Sequence, residues 1–238
     1  ALLEGGWRTG AFGKLHLRSQ YESLFPDYRP YGFEVQHITE DARGGEWLEH
    51  VRTEHPDHFD AVLSTIWARS FPGFRSHGPD GVNLAERFDS IPELSGAYAL
   101  PFPEEISQTN WITDHAVDFI RSTAATQPLF AHVSYVQPHD PYAPPRRYLN
   151  RVSGKDIPEP VPAEWADDPQ VPLIFNDTGG HTTPLPEWRM ERAHYFADMC
   201  HLDEQLGTIE AALAAADRLN DAVIIFLSDH GDLLHDHG

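Results

Sequence analysis

Short apolar runs of β type alternate with longer patterns of helical type along this chain, and that alternation restricts the fold more than any single residue does. Residues 7–12, 59–67 (FDAVLSTIW) and 129–136 (LFAHVSYV) are rich in apolar, β-branched and aromatic side chains and read as strands. The run at 222–227 (AVIIFL) is continuously apolar, as a strand covered on both faces requires. Between these runs, 45–55, 104–122 and 187–216 carry helical patterns. Trp111, Ile112, His115, Ala116, Phe119 and Ile120 fall on one stripe of the second. In the third, Tyr195, Met199, Leu202, Leu206, Ile209 and Leu213 recur at helical spacing. Strands alternating with helices predict an α/β fold with a mostly parallel central sheet covered by helices. The Pro-rich stretches at about 71–103 and 138–186 are too long for simple connections. They are expected to be irregular insertions within a single domain, of the kind that carries function.

Composition narrows the classes of function. Seventeen Lys and Arg against thirty-seven Asp and Glu leave a net charge of −20, which repels a phosphate backbone and argues against nucleic-acid binding. The apolar runs fall far short of the roughly 20 residues of a membrane helix, so no span is expected. One cysteine, Cys200, excludes an internal disulfide framework and fits a reducing compartment, with cytoplasm the first expectation. It sits in a helical pattern among apolar positions and reads as a structural thiol. Fifteen histidines offer many metal ligands and proton carriers.

In a parallel sheet, ligands gather where the chain leaves the carboxyl ends of the strands. Three polar groups fall at such ends: GKLH after the first strand, QPHDPY after the third and SDHGD after the fourth. Lys14 and His16 alternate in an extended segment and so share a face, where an ammonium and an imidazole can grip an anionic oxygen and move a proton. A surface lysine beside a hydrogen-bonded histidine is the plainer alternative. Prolines on both sides of His139 hold its loop, although a His-Asp turn explains the same residues. Asp229 and His230 present a carboxylate and an imidazole suited to a divalent cation, or a cap and its solvated neighbour. His235, Asp236 and His237 add to the ligand density. Ser228 adjoins Asp229 and His230, but adjacent residues do not build a nucleophilic triad.

The segments GGWRTGAFGKLHL, QPLFAHVSYVQPHDPYAPPRRY, HYFADMCHLDEQLGTIEAAL and AVIIFLSDHGDLLHDHG follow the order and approximate spacing seen in sulfatases. The chain therefore resembles the sulfatase family of the alkaline phosphatase superfamily, which also holds phosphonate monoester and phosphodiester hydrolases. That resemblance implies an alkaline-phosphatase-like sheet, incomplete at both ends of this chain, and metal-dependent hydrolysis of sulfate esters. Lys14 and His16 look like the G-K-x-H pair that binds sulfate oxygens and assists turnover. His139 looks like the histidine of the P-H-x-P segment, which binds substrate and serves as an acid at the leaving group. Asp229 and His230 look like metal ligands, for Ca2+ first and Mn2+ second, His230 standing where many members have Asn. The C-x-P-S-R signature that yields formylglycine, and an early Asp-Asp pair, do not occur in residues 1–238 and are expected upstream, with a further lysine downstream. These residues alone are accordingly expected to be inactive. The expected partner is a small-molecule or glycan sulfate ester. Phosphonate monoester or phosphodiester hydrolysis, and a non-catalytic anion-binding domain, are the alternatives.

Overall fold

The computed structural model describes residues 1–152, 157–162 and 187–236. Three strands, β1 (Arg8–Gly13), β2 (Val35–Ile38) and β3 (Leu129–Ser134), form a parallel sheet in the order β2-β1-β3. Gly13 at the end of β1 stands opposite both Ile38 and Ser134. All three strands thus end level, and the segments that follow them emerge at one edge of the sheet.

The described residues also form six helices, α1 (Glu46–Glu54), α2 (Phe59–Ser64), α3 (Ala85–Ser90), α4 (Gln108–Ser122), α5 (Arg146–Val152) and α6 (Trp188–Ala215), of which α1 packs on β2 and α4 on β1 and β3. Helix α4 begins where the Ser107 side chain accepts the Asn110 N–H, a standard N-cap. Its stripe packs over β1 and β3 as the spacing predicts. Trp111, Ile112, Ala116, Phe119 and Ile120 are buried, and Ile112 and Phe119 meet Phe12, Trp47, Leu48, Val62 and Leu63 in the main core. Helix α6 packs against α4 and α5. No described helix is long and apolar enough to cross a membrane.

Four expectations need correction. Residues 59–67 form no strand; α2 and a turn occupy them. Pro56 opens the turn of helix before α2, and Phe59, Val62, Leu63 and Ile66 lie at i, i+3, i+4 and i+7, all buried on one face. The edge strand β2 carries only four residues, too few for its alternation to stand out. Residues 222–227 pair with no described strand, and all but the half-buried Ala222 stay exposed, Val223 and Leu227 at more than 80%. Asp229 and His230 consequently do not follow a strand of the sheet. Finally, α6 buries its stripe only in part: Leu213 is buried and Ile209 packs against the core, but Met199 is exposed, and Ala197, Asp198, His201 and Gln205 are buried in its first half. The 71–103 stretch holds α3 and short turns, and 138–186 holds α5, the rest of it lying largely outside the described residues.

Candidate active site

The site is built at the level edge where β1, β2 and β3 end. The backbone turns sharply out of β1 at Gly13, whose φ of +91° and closeness to the Ser134 carbonyl leave no room for a side chain. Lys14 follows, its N–H donating to the Ser134 carbonyl, and His16 takes a left-handed conformation with φ +54°. The two side chains share one partner. Lys14 Nζ lies 3.1 Å from Asp41 Oδ1, and His16 Nδ1 lies 3.3 Å from Asp41 Oδ2. Lys14 and Asp41 are mostly buried, whereas the His16 side chain is 62% exposed.

Asp41 belongs to the Thr39–Arg43 turn that leaves β2, and this turn is fixed from several sides. Gln108 of α4 donates to Thr39 Oγ1 and to the Glu40 carbonyl. The Ala42 N–H donates to Gln20, and the Trp67 indole donates to the Asp41 carbonyl. Glu40 in turn holds the segment after β1, accepting the N–H groups of Leu15 and His16 and the Tyr28 hydroxyl at 2.9 Å. Burial raises the Glu40 carboxyl above its usual range, against the pull of those amides. Burial, then the neighbouring Glu40 charge, pushes Tyr28 to about 12. Glu40 and Asp41 escaped the sequence reading because β2 did. The signal was present as an acidic pair directly after a short apolar alternation.

His139 sits on the loop after β3. Its Nδ1 lies 2.6 Å from the Asp140 carbonyl and 3.1 Å from an Asp140 carboxylate oxygen. Both partners only accept, so Nδ1 carries the hydrogen and Nε2 is left for an outside group. Among the described residues no hydrogen bond or ion pair joins His139 to Lys14, His16, Asp229 or His230. The loop is tied to the Asp41 turn instead through Arg43, which donates to the Pro141 carbonyl at 3.1 Å.

Asp229 and His230 are exposed and adjacent, with His230 Nε2 3.6 Å from Asp229 Oδ2. The His230 N–H bonded to its carboxylate, and then the positive charges of His230 and Lys14, hold Asp229 below the usual carboxylate range. Asp229 is thus in electrostatic reach of Lys14. His235 and Asp236 point elsewhere: His235 meets Glu191, and Asp236 accepts from Arg192 of α6. His237 lies outside the described residues.

A family model described as Sulfatase matches residues 6–238. The chain belongs to the sulfatase family. This chain is 26% identical over 240 residues to an arylsulfatase of Clostridium perfringens, covering 98% of this chain and 46% of that protein. It is 28% identical over 182 residues to the multifunctional alkaline phosphatase superfamily protein PehA of Trinickia caryophylli, covering 66% and 35%. Its fold is that of a phosphonate monoester hydrolase of Agrobacterium radiobacter, with a TM-score of 0.64, 22% identity, and 99% and 47% of the two chains covered. The chain therefore spans less than half the length of each of these relatives.

A divalent cation requires six or more oxygen-rich ligands when it is calcium. Among the described residues no three ligating side chains converge on one point. The carboxylate of Asp229 and the imidazole of His230 suit such a cation in kind but make only part of its shell.

Proposed function

We propose that the whole protein hydrolyses sulfate esters, and that these residues supply its anion-binding and proton-transfer groups. The observation that carries the reading is the Lys14–Asp41–His16 cluster at the strand ends of a chain that belongs to the sulfatase family. A sulfate monoester resists attack because its anionic oxygens repel nucleophiles. A fixed ammonium offsets that charge most where charge develops in the transition state. Lys14 is held by a buried carboxylate, so it is preorganised for an anionic oxygen instead of sweeping through solvent. His16, more exposed and held by the same carboxylate, is placed to accept or return a proton during turnover. His139, with Nδ1 fixed on Asp140, presents Nε2 as the acid that protonates the departing alcohol.

A divalent cation, Ca2+ first and Mn2+ second, would add Lewis-acid stabilisation with Asp229 and His230 among its ligands, and the nucleophile, a formylglycine, would come from outside residues 1–238. Phosphonate monoesters and phosphodiesters are the competing substrates, given the 28% identical multifunctional relative. The test is steady-state hydrolysis of an aryl sulfate, an aryl phosphonate monoester and an aryl phosphodiester by the full-length protein. A kcat/KM highest for the sulfate is expected. A preference for either phosphorus ester would replace this reading with the second. His139→Ala should lower kcat by ~10²-fold or more on poor leaving groups and by less on good ones. Equal losses on both would remove the acid role.

A further inference from the structure

Beneath the Asp41 turn lies a small chamber lined by Arg43, Gln108, Gln137, Ala143, Asp198 and His201 among others. Three facts about it do not follow from packing. First, Arg43 is 3% exposed yet adopts a left-handed φ of +56°, a conformation that costs energy for a residue with a side chain. Its guanidinium donates to the Thr65 carbonyl at the end of α2 and to the Pro141 carbonyl in the His139 loop. Second, Asp198 is 1% exposed, and neither of its carboxylate oxygens has a well-formed hydrogen bond. Third, Asp198 lies on the buried side of α6 with Ala197, His201 and Gln205, at a position the apolar stripe of the helix does not predict. An apolar side chain here would be more stabilising than an unpaired carboxylate.

A residue kept at such a cost answers to something other than stability. Arg43 carries a permanent charge into the interior, and an ionised Asp198 across the chamber would offset it. Arg43 and Asp198 are the cation and the carboxylate of the chamber lining. They form no direct ion pair, yet the guanidinium favours the charged carboxylate across the chamber. We propose that Asp198 is a positioning residue: through Arg43 it holds the His139 loop in place beside the Lys14–Asp41–His16 cluster. This rests on the reading of His139 as the leaving-group acid.

Burial lifts Asp198 to about 8, and the Arg43 charge and the nearby Ala143 amide only partly oppose the rise. The groups facing it are Arg43 from the turn after β2, Tyr98 from the segment before α4, and His201 from α6 itself. The carboxylate is accordingly neutral below about pH 8 and charged above it, while an asparagine stays neutral throughout.

The experiment compares wild-type full-length protein with Asp198→Asn and Arg43→Lys, on an aryl sulfate with a poor leaving group, from pH 6.5 to 9. For Asp198→Asn, the ratio of wild-type to variant kcat should rise at least tenfold across that range, with KM within twofold. It should rise much less on a good leaving group. Arg43→Lys keeps the charge but loses the fork, and should lower kcat about tenfold at every pH. A ratio for Asp198→Asn that is flat within twofold, or an unaffected Arg43→Lys, overturns the proposal. A purely structural role would lower thermal stability without moving the pH profile. If the wild-type protein hydrolyses no sulfate ester, the functional reading fails, and amide hydrogen exchange at 137–143 then decides the inference. Exchange at least tenfold faster in Asp198→Asn than in wild type at pH 9 supports it, and equal exchange overturns it.

Discussion

Asp41 does for Lys14 and His16 what neither residue does for itself. Lys14 and His16 sit on a short segment that leaves β1 through a glycine and a left-handed histidine, so their backbone does not by itself aim both side chains at one point. The two oxygens of Asp41 do. Asp41→Asn should therefore keep the turn, which is held through Trp67, Gln108 and Gln20, while releasing Lys14. In the full-length protein kcat/KM should fall by about 10- to 100-fold, the scale on which small misplacements of catalytic groups act. A loss below threefold would separate Asp41 from the site. Gly13 makes a different demand. A Cβ there would lie 1.9 Å from the Ser134 carbonyl oxygen on a backbone with φ +91°. Gly13→Ala must push β1 and β3 apart at the point where the site begins. It should cost more than about 2 kcal/mol in urea denaturation, within the range of strained backbone positions.

At the scale of elements, strong periodicity was readable and weak periodicity was not. β1, β3, α1, α4 and α6 occupy the segments the pattern marks, because each has enough residues for its period to show. Residues 59–67 are β-branched and aromatic, but their apolar spacing is that of a helix, and spacing decided the outcome over propensity. The first half of the α6 stripe departs from the pattern for a reason no helical period contains: its partners there offer a polar chamber and Asn110, which pairs with His201, whereas Ile209 and Leu213 pack as the period predicts. Lys14, His16 and His139 were legible because they stand directly after β1 and β3. Asp41, Glu40, Arg43 and Asp198 were not, since their neighbours come from β2 and from α6, distant in sequence. The 222–227 run keeps its strand-like character without a described partner. Exposed apolar backbone of this kind seeks pairing with another chain. Residues 1–238 purified alone should self-associate with rising concentration, and Ile225→Lys should suppress this in light scattering. Association unchanged by Ile225→Lys would place the sticky surface elsewhere.

For the molecule as a whole, buried titratable groups set the dependence of stability on pH. Burial lowers His77, His115 and His201 to about 4 each. Unfolded, each titrates near 6.5, so between pH 6.5 and 4 the unfolded chain takes up protons that the fold refuses. The stability these histidines contribute is complete above pH 6.5 and is lost as the pH falls toward 4. Asp198 has the opposite sign. Its carboxyl is raised to about 8, so the fold holds a proton that the unfolded chain has released, and stability falls as the pH rises from 4 to 8. Glu40, also raised by burial, adds in the same sense as Asp198. Above pH 6.5 the raised carboxyls, Asp114 among them, dominate, and below it the imidazoles, with His50 and His132 also lowered by burial, outnumber them. Stability should therefore peak near pH 6.5 and decline on both sides. His77 isolates one of these contributions. It is fully buried, stacked on Phe74 with ring centroids 6.1 Å apart, and neither ring nitrogen has a hydrogen-bond partner. His77→Leu keeps the packing and removes the proton. Between pH 6 and 4.5 the loss of stability should become shallower by about one proton's worth, ~1.4 kcal/mol per pH unit at most, in urea titrations run at each pH. An unchanged acid slope would mean that His77 takes up its proton in the folded state.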